Sequence, residues 1–198
     1  MVEFDDVLRA LELTIRYQND LNEVFPHGRG MNLPQEITEN LIIAILRHVT
    51  GVDARWCKQT KRPNKISGDG YIPGTGFELK LEYKKTKVKV AIEYTGIQKL
   101  EFKCFTSTGP PTFGPTERWD RLYFLDAIDY HDYQFKLYEV PLSNISDEWK
   151  SLKVSKSQTF EDQADQGRRP RIVFEEIQTQ LGEHCKMIWE GDIRNLFN

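Results

Sequence analysis

Apolar side chains recur at helical spacing over residues 3–18, at Phe4, Val7, Leu8, Leu11 and Ile15, which predicts an amphipathic helix. Residues 19–30 are rich in Asn, Asp and Gly around Pro26 and His27 and read as a loop. A second helix should open near Pro34, a residue tolerated in the first turn, with Asn32 as candidate cap and Glu36 in that turn. Its pattern runs through Ile37, Leu41, Ala44, Ile45 and His48, and Gly51 should stop it.

From Gly68 the period switches to two. Phe77, Leu79, Leu81 and Tyr83 alternate with Glu78, Lys80, Glu82 and Lys84. Further strands are expected over 88–92, 100–105, 121–126 and 134–140, with turn chemistry at 73–76 and 95–96. Residues 107–115 form a Pro/Gly-rich loop, 155–171 are polar and loop-like, and a last helix should cover roughly 174–187. Helices flanking a central run of strands define an α/β (α+β) domain spanning 1–198. Its expected parts are a helical stretch (1–50), a sheet (67–140) and a C-terminal loop and helix (150–198).

Composition narrows the class. The chain has 198 residues, 39% apolar, 29% charged and 12% aromatic, which excludes collagen and an acidic disordered tail. The longest strongly apolar run, 41–46, is far short of the roughly 20 residues of a membrane span, so no membrane partner is expected. Cys57, Cys104 and Cys185 are too few for a disulfide framework and lack zinc-site spacing. The acidic opening of residues 1–6 does not read as a signal peptide. A soluble, cytoplasmic protein is expected.

The net charge of −3 conceals an uneven distribution. Residues 47–103 hold 13 basic and 6 acidic side chains, while the segments on either side are each net −5. A basic middle in an acidic chain points to a face that meets an anion, although a solvated Lys-rich strand explains Lys84, Lys85, Lys87 and Lys89 equally well.

Nucleophile-elbow, P-loop and dinucleotide motifs are absent, and the four histidines lie far apart. Cys104 falls in a strand pattern and should pack as a small apolar residue. What remains are acid–x–lysine triplets on strands, preceded by an aspartate after a turn. Two carboxylates brought to one point suit a hard cation such as Mg²⁺. A lysine two residues along the strand from the acid projects from the same face, where it can orient a water and stabilise charge on a phosphate. The aspartate is Asp69, which is also readable as a plain Asp-Gly turn. The acid and lysine are Glu101/Lys103 or Glu78/Lys80. The first pair interrupts an otherwise apolar strand, Leu100-Glu101-Phe102-Lys103-Cys104-Phe105, and a buried charged pair needs a reason. The second continues as Glu-x-Lys-x-Glu-x-Lys, the look of a solvated strand. Alternation favours Glu101/Lys103.

Asp69 followed by Glu101-Phe102-Lys103 resembles the PD-(D/E)XK nuclease signature, specifically that of type II restriction endonucleases. The stretch 103–126 and Gln166-Gly167-Arg168-Arg169-Pro170-Arg171 are similar to bacterial restriction enzymes of this size. The resemblance covers residues 34–180 and implies a mixed sheet flanked by helices, Mg²⁺-dependent cleavage of double-stranded DNA, and a homodimer with one active site per strand. It makes Asp69 and Glu101 metal ligands and Lys103 the water-orienting lysine. Glu39, with Glu36 next, matches the extra carboxylate that an upstream helix contributes, and an exposed helical glutamate is its plain alternative. Gly68 replaces the name-giving proline. The long gap from Asp69 to Glu101 requires an inserted hairpin over 77–96, unless Glu78/Lys80 is the true pair. Base reading would fall to Ser107, Thr108, Arg118, Arg168, Arg169 and Arg171, and phosphate contacts to Lys58, Lys61, Arg62 and Lys65. For each of these, a solvated side chain is the alternative. A repair or structure-specific nuclease and a non-catalytic DNA-binding module are the competing functions. The helix of residues 3–18 is the candidate dimer interface.

Overall fold

The computed structural model describes residues 2–27, 30–59, 68–74, 76–84 and 87–197, with backbone alone at 59, 76–84 and 87–95. Helix α1 (Phe4–Val24) buries Val7, Leu11, Ile15 and Gln18. It runs six residues past the expected end, through ground that reads as loop. The polar residues there serve the helix: Gln18 Nε2 donates to the Asn22 side-chain Oδ1 (2.7 Å), and Gln18 Oε1 accepts from Met31 N–H (2.7 Å). Helix α2 (Gln35–Thr50) lies where it is expected, and Gly51 ends it at φ 69° in the left-handed region. Asn32 is not its cap. The cap position is Pro34, and the Asn32 amide oxygen instead accepts from Thr106 Oγ1 at 2.9 Å. Every residue from Ile37 to Leu46 is buried, as in a helix covered on all sides.

Among the described residues, eight strands follow the helices or are interspersed with them: β1 (Arg55–Trp56), β2 (Gly70–Ile72), β3 (Gly76–Lys84), β4 (Lys87–Thr95), β5 (Gln98–Phe105), β6 (Arg121–Asp126), β7 (Gln134–Val140) and β8 (Lys186–Asp192). Six of them form a mixed sheet in the order β1-β2-β5-β6-β7-β8. Only β5 and β6 run parallel among these neighbours; each other adjacent pair is antiparallel. β3 and β4 pair with each other in a separate two-stranded sheet. The hairpin required between Asp69 and Glu101 is therefore an insertion, and it leaves β2 free to pair directly with β5, Gly70 opposite Leu100.

Both faces of the main sheet are covered, so β6 reads as a nearly continuous apolar run. Tyr123 and Leu125 join Leu11, Leu41, Ile42 and Ile45 beneath α1 and α2. Leu122 and Phe124 join a second core with Phe113, Trp119 and Trp149. The helices α3 (Asp147–Lys150), α4 (Phe160–Asp165) and α5 (Phe174–Leu181) contribute to that second core.

Two C-terminal expectations change. The loop-like stretch 155–171 contains α4, whose few apolar residues are offset by a full capping box between Thr159 and Asp162. The last helix stops at Leu181 and Gly182, not at 187. Residues 186–192 are an edge strand paired with β7, so the C-terminal part is more than loop and helix and the sheet extends beyond residue 140.

Candidate active site

Asp69 is tied to β5 twice. Its backbone N–H donates to Leu100 O (3.2 Å), and its Oδ2 accepts from the backbone N–H of Phe102 (3.0 Å). Those bonds bracket Glu101. Along β5 the side chains alternate, Phe102 entering the core under α2 while Glu101 and Lys103 share the other direction. Lys103 Nζ lies 2.6 Å from Glu101 Oε1. The Glu101 side chain is only 6% exposed and that of Lys103 15%.

Glu39 approaches from the first turns of α2. Its side chain is 2% exposed and receives the Trp56 indole N–H on Oε2 and the Lys58 ammonium on Oε1, the latter at 3.2 Å. The alternative of an exposed helical glutamate is thereby excluded. Cys57 follows Trp56, and its backbone N–H donates to Asp69 O at 3.0 Å. One backbone bond thus joins the short strand that serves Glu39 to the turn that carries Asp69.

The electrostatics bind these groups into one site. Burial pushes Glu101 up to about 7 against the pull of Lys103, and the Asp69 charge adds to the rise. Burial also raises Glu39; the Trp56 hydrogen bond opposes it and Asp69 reinforces it. Burial lowers Lys103, but Glu101, then Glu117 and Asp69, outweigh it and hold the ammonium above its ordinary value. The Cys57 thiol is pushed up to about 11 by burial and by the charges of Asp69, Glu39 and Glu101.

Among the described residues, no three His, Cys, Asp or Glu side chains form a group that could hold a metal ion by themselves. That does not conflict with a magnesium role. Mg²⁺ is commonly held by one or two carboxylates, with waters and substrate phosphates completing its shell. Asp69 and Glu101 offer hard oxygen donors, and burial together with the Asp69 charge raises Glu101 despite the neighbouring Lys103 ammonium.

The expected DNA contacts divide. Ser107 and Thr108 are exposed just beyond β5, and Ser107 lines an open cleft of about 290 Å³ with Asn32, Thr106 and Gly109. Arg118, Arg168, Arg169 and Arg171 are exposed as well. Arg168 donates to Gln158 (3.1 Å) and Arg171 to Thr112 (3.3 Å). The Phe113 N–H donates to Pro170 O (3.1 Å), so the arginine loop is joined to the connection between β5 and β6. Lys58, expected at a phosphate, already faces Glu39, with 43% of its side chain exposed. Lys61, Arg62 and Lys65 lie outside the described residues, as do the side chains of Glu78 and Lys80. Sequence reasoning missed Trp56 and Glu117. A lone tryptophan in a polar, basic stretch is a usable signal for the first; Glu117 reads as an ordinary turn residue.

The mixed sheet flanked by helices is consistent with a restriction-endonuclease-like fold, and comparison with known proteins gives the class. A family model described as Bsp6I restriction endonuclease matches residues 3–179. The chain belongs to that family of type II restriction endonucleases, which are site-specific deoxyribonucleases. It is 29% identical over 175 residues to the Type II restriction enzyme Bsp6I of Bacillus sp. (strain RFL6), covering 85% of this chain and 76% of that protein. No solved structure matches the chain. Family membership sets aside both the repair nuclease and the non-catalytic DNA-binding module. Among the described residues, no helix is long and apolar enough to cross a membrane.

Proposed function

We propose that the chain hydrolyses phosphodiester bonds at specific sites in double-stranded DNA, in the manner of PD-(D/E)XK nucleases, with Mg²⁺ held by Asp69 and Glu101. The observation that carries this reading is the direct pairing of β2 with β5, which brings Asp69 beside Glu101 although 31 residues separate them in the chain. Bound there, Mg²⁺ would supply positive charge to the scissile phosphate. Lys103 positions the attacking water and donates to the phosphate oxygen on which charge develops. Glu39 adds negative charge beside Asp69, and the Trp56 indole fixes its direction. Exposed Ser107, Thr108, Arg118, Arg168, Arg169 and Arg171 are the candidate base readers, and Lys58, with Lys61, Arg62 and Lys65 of the same basic stretch, the phosphate contacts. With DNA as substrate, the place of action is the cytoplasm.

A homodimer completes the reading, since two strands must be cut and each chain carries one such cluster. Helix α1 supports it as an interface: Leu13 and Tyr17 are 57% and 54% exposed, one helical turn apart, opposite the buried face. Light scattering should report twice the monomer mass; a monomer that only nicks would contradict the dimer.

Plasmid DNA incubated with the protein and Mg²⁺ tests the function. Discrete fragments are expected, with none in EDTA. A smear, or intact DNA, would contradict it.

A further inference from the structure

Lys103 faces a second carboxylate. Glu117 belongs to the turn that follows Phe113, and its Oε2 lies 3.6 Å from Lys103 Nζ. The same carboxylate oxygen accepts from the Gly114 backbone N–H at 2.8 Å. From the same turn, the Phe113 ring lies beneath the ammonium, 5.3 Å from its centroid.

The turn is built to hold this carboxylate. A Cβ on Gly114 would stand 2.5 Å from Glu117 Oε1, so any larger residue would displace the side chain from its place. Behind the carboxylate, the Glu117 carbonyl accepts from Asn144 Nδ2 at 2.7 Å, and Asn144 is itself buried and accepts from Trp119 N–H at 3.3 Å. The backbone is thus anchored in the second core while the carboxylate, in a side chain 38% exposed, reaches the mouth of the site.

Lys103 is paired most closely with Glu101, the carboxylate that a cation would claim. Once Glu101 directs its charge to a cation, the ammonium loses its nearest anchor. Glu117 remains on the same side of the sheet, held by a backbone N–H and not needed as a ligand. We propose that Glu117 is a positioning residue that keeps the Lys103 ammonium at the reacting phosphate when Glu101 is engaged. This rests on the reading of Glu101 and Lys103 as the active site.

The test is single-turnover cleavage of a plasmid that the wild-type enzyme cuts, with DNA affinity measured separately in Ca²⁺. Glu117→Gln keeps an oxygen for the Gly114 N–H but removes the charge, so the turn should stand and the melting temperature should not change. Cleavage should slow by about 10–100-fold, the scale at which residues orienting a catalytic ligand act, while DNA affinity stays within about twofold. Gly114→Ala, whose methyl takes the carboxylate's place, should give the same loss. A wild-type rate in Glu117→Gln overturns the proposal whatever Gly114→Ala does, because a purely structural role needs only the acceptor. Lys103→Ala separates the two readings. If it is inactive while Glu117→Gln is fully active, only the role of Glu117 falls; if it cleaves normally, the active-site reading falls as well.

Discussion

The carboxylate of Asp69 accepts a 3.0 Å hydrogen bond from the backbone N–H of Phe102, the residue that separates Glu101 from Lys103. The aspartate is thereby fixed to the strand that carries the acid and the lysine, not to the inserted hairpin. Pleating sends Phe102 into the core and leaves its two neighbours to face the site. Strand geometry alone puts three chemically complementary groups at one edge of β5.

Trp56 should matter through one hydrogen. Trp56→Phe keeps the ring but leaves buried Glu39 with a carboxylate oxygen short of its donor. A loss of about 1–3 kcal/mol in folding stability is expected, along with slower cleavage. Urea titration of the purified variant checks it, and a midpoint equal to wild type would show that the indole N–H carries nothing.

The contribution of Glu101 to the stability of the metal-free protein should be lost at high pH. Glu101 titrates near 4.5 when unfolded but at about 7 when folded, so the folded state holds the extra proton between those values. Stability present below the lower value is lost as pH rises through the upper one. Glu101→Gln has no such proton to lose. Thermal melts in EDTA at about pH 5 and about pH 8 should show wild type falling relative to the variant, by at least about 2 °C. A difference that does not change with pH would remove the burial argument.

Arginines that read bases differ in signature from groups that meet phosphates. Arg168→Ala, Arg169→Ala or Arg171→Ala should cost roughly 1–3 kcal/mol on cleavable DNA and little on random DNA. Lys58→Ala should weaken both alike and reduce the slope of log affinity against log salt by about 0.9. Filter binding in Ca²⁺ over a salt series measures both. Equal losses on the two DNAs would make the arginines phosphate contacts.

Much of this arrangement is legible in the sequence because it is periodic. The buried face of α2 and the strands around Glu101 follow from spacing, while the inserted hairpin is what the nuclease resemblance implies if Glu101/Lys103, and not Glu78/Lys80, is the pair. What periodicity misses is structure held by other means. Helix α1 continues through 19–24 because Gln18 and Asn22 satisfy one another, and α4 stands on a capping box rather than an apolar face. Strand β8 is an edge strand in which Lys186, Met187 and Glu190 are exposed, so its alternation is faint and, in sequence, the apolar spacing of α5 runs on to Met187. The Trp56–Glu39 bond joins residues 17 apart, a distance that no local pattern spans.

Substitution of the two competing glutamates tests the central claim most directly. Glu101 is paired with Lys103 on the strand whose Phe102 N–H donates to Asp69, whereas Glu78 lies on β3, which pairs with β4 in a separate sheet. Single-turnover plasmid cleavage in Mg²⁺ should be abolished in Glu101→Ala, as in Asp69→Ala and Lys103→Ala, with DNA binding retained, because each removes a group acting mainly on the transition state. Glu78→Ala should cut at close to the wild-type rate. An active Glu101→Ala beside an inactive Glu78→Ala would place the active site on the wrong strand.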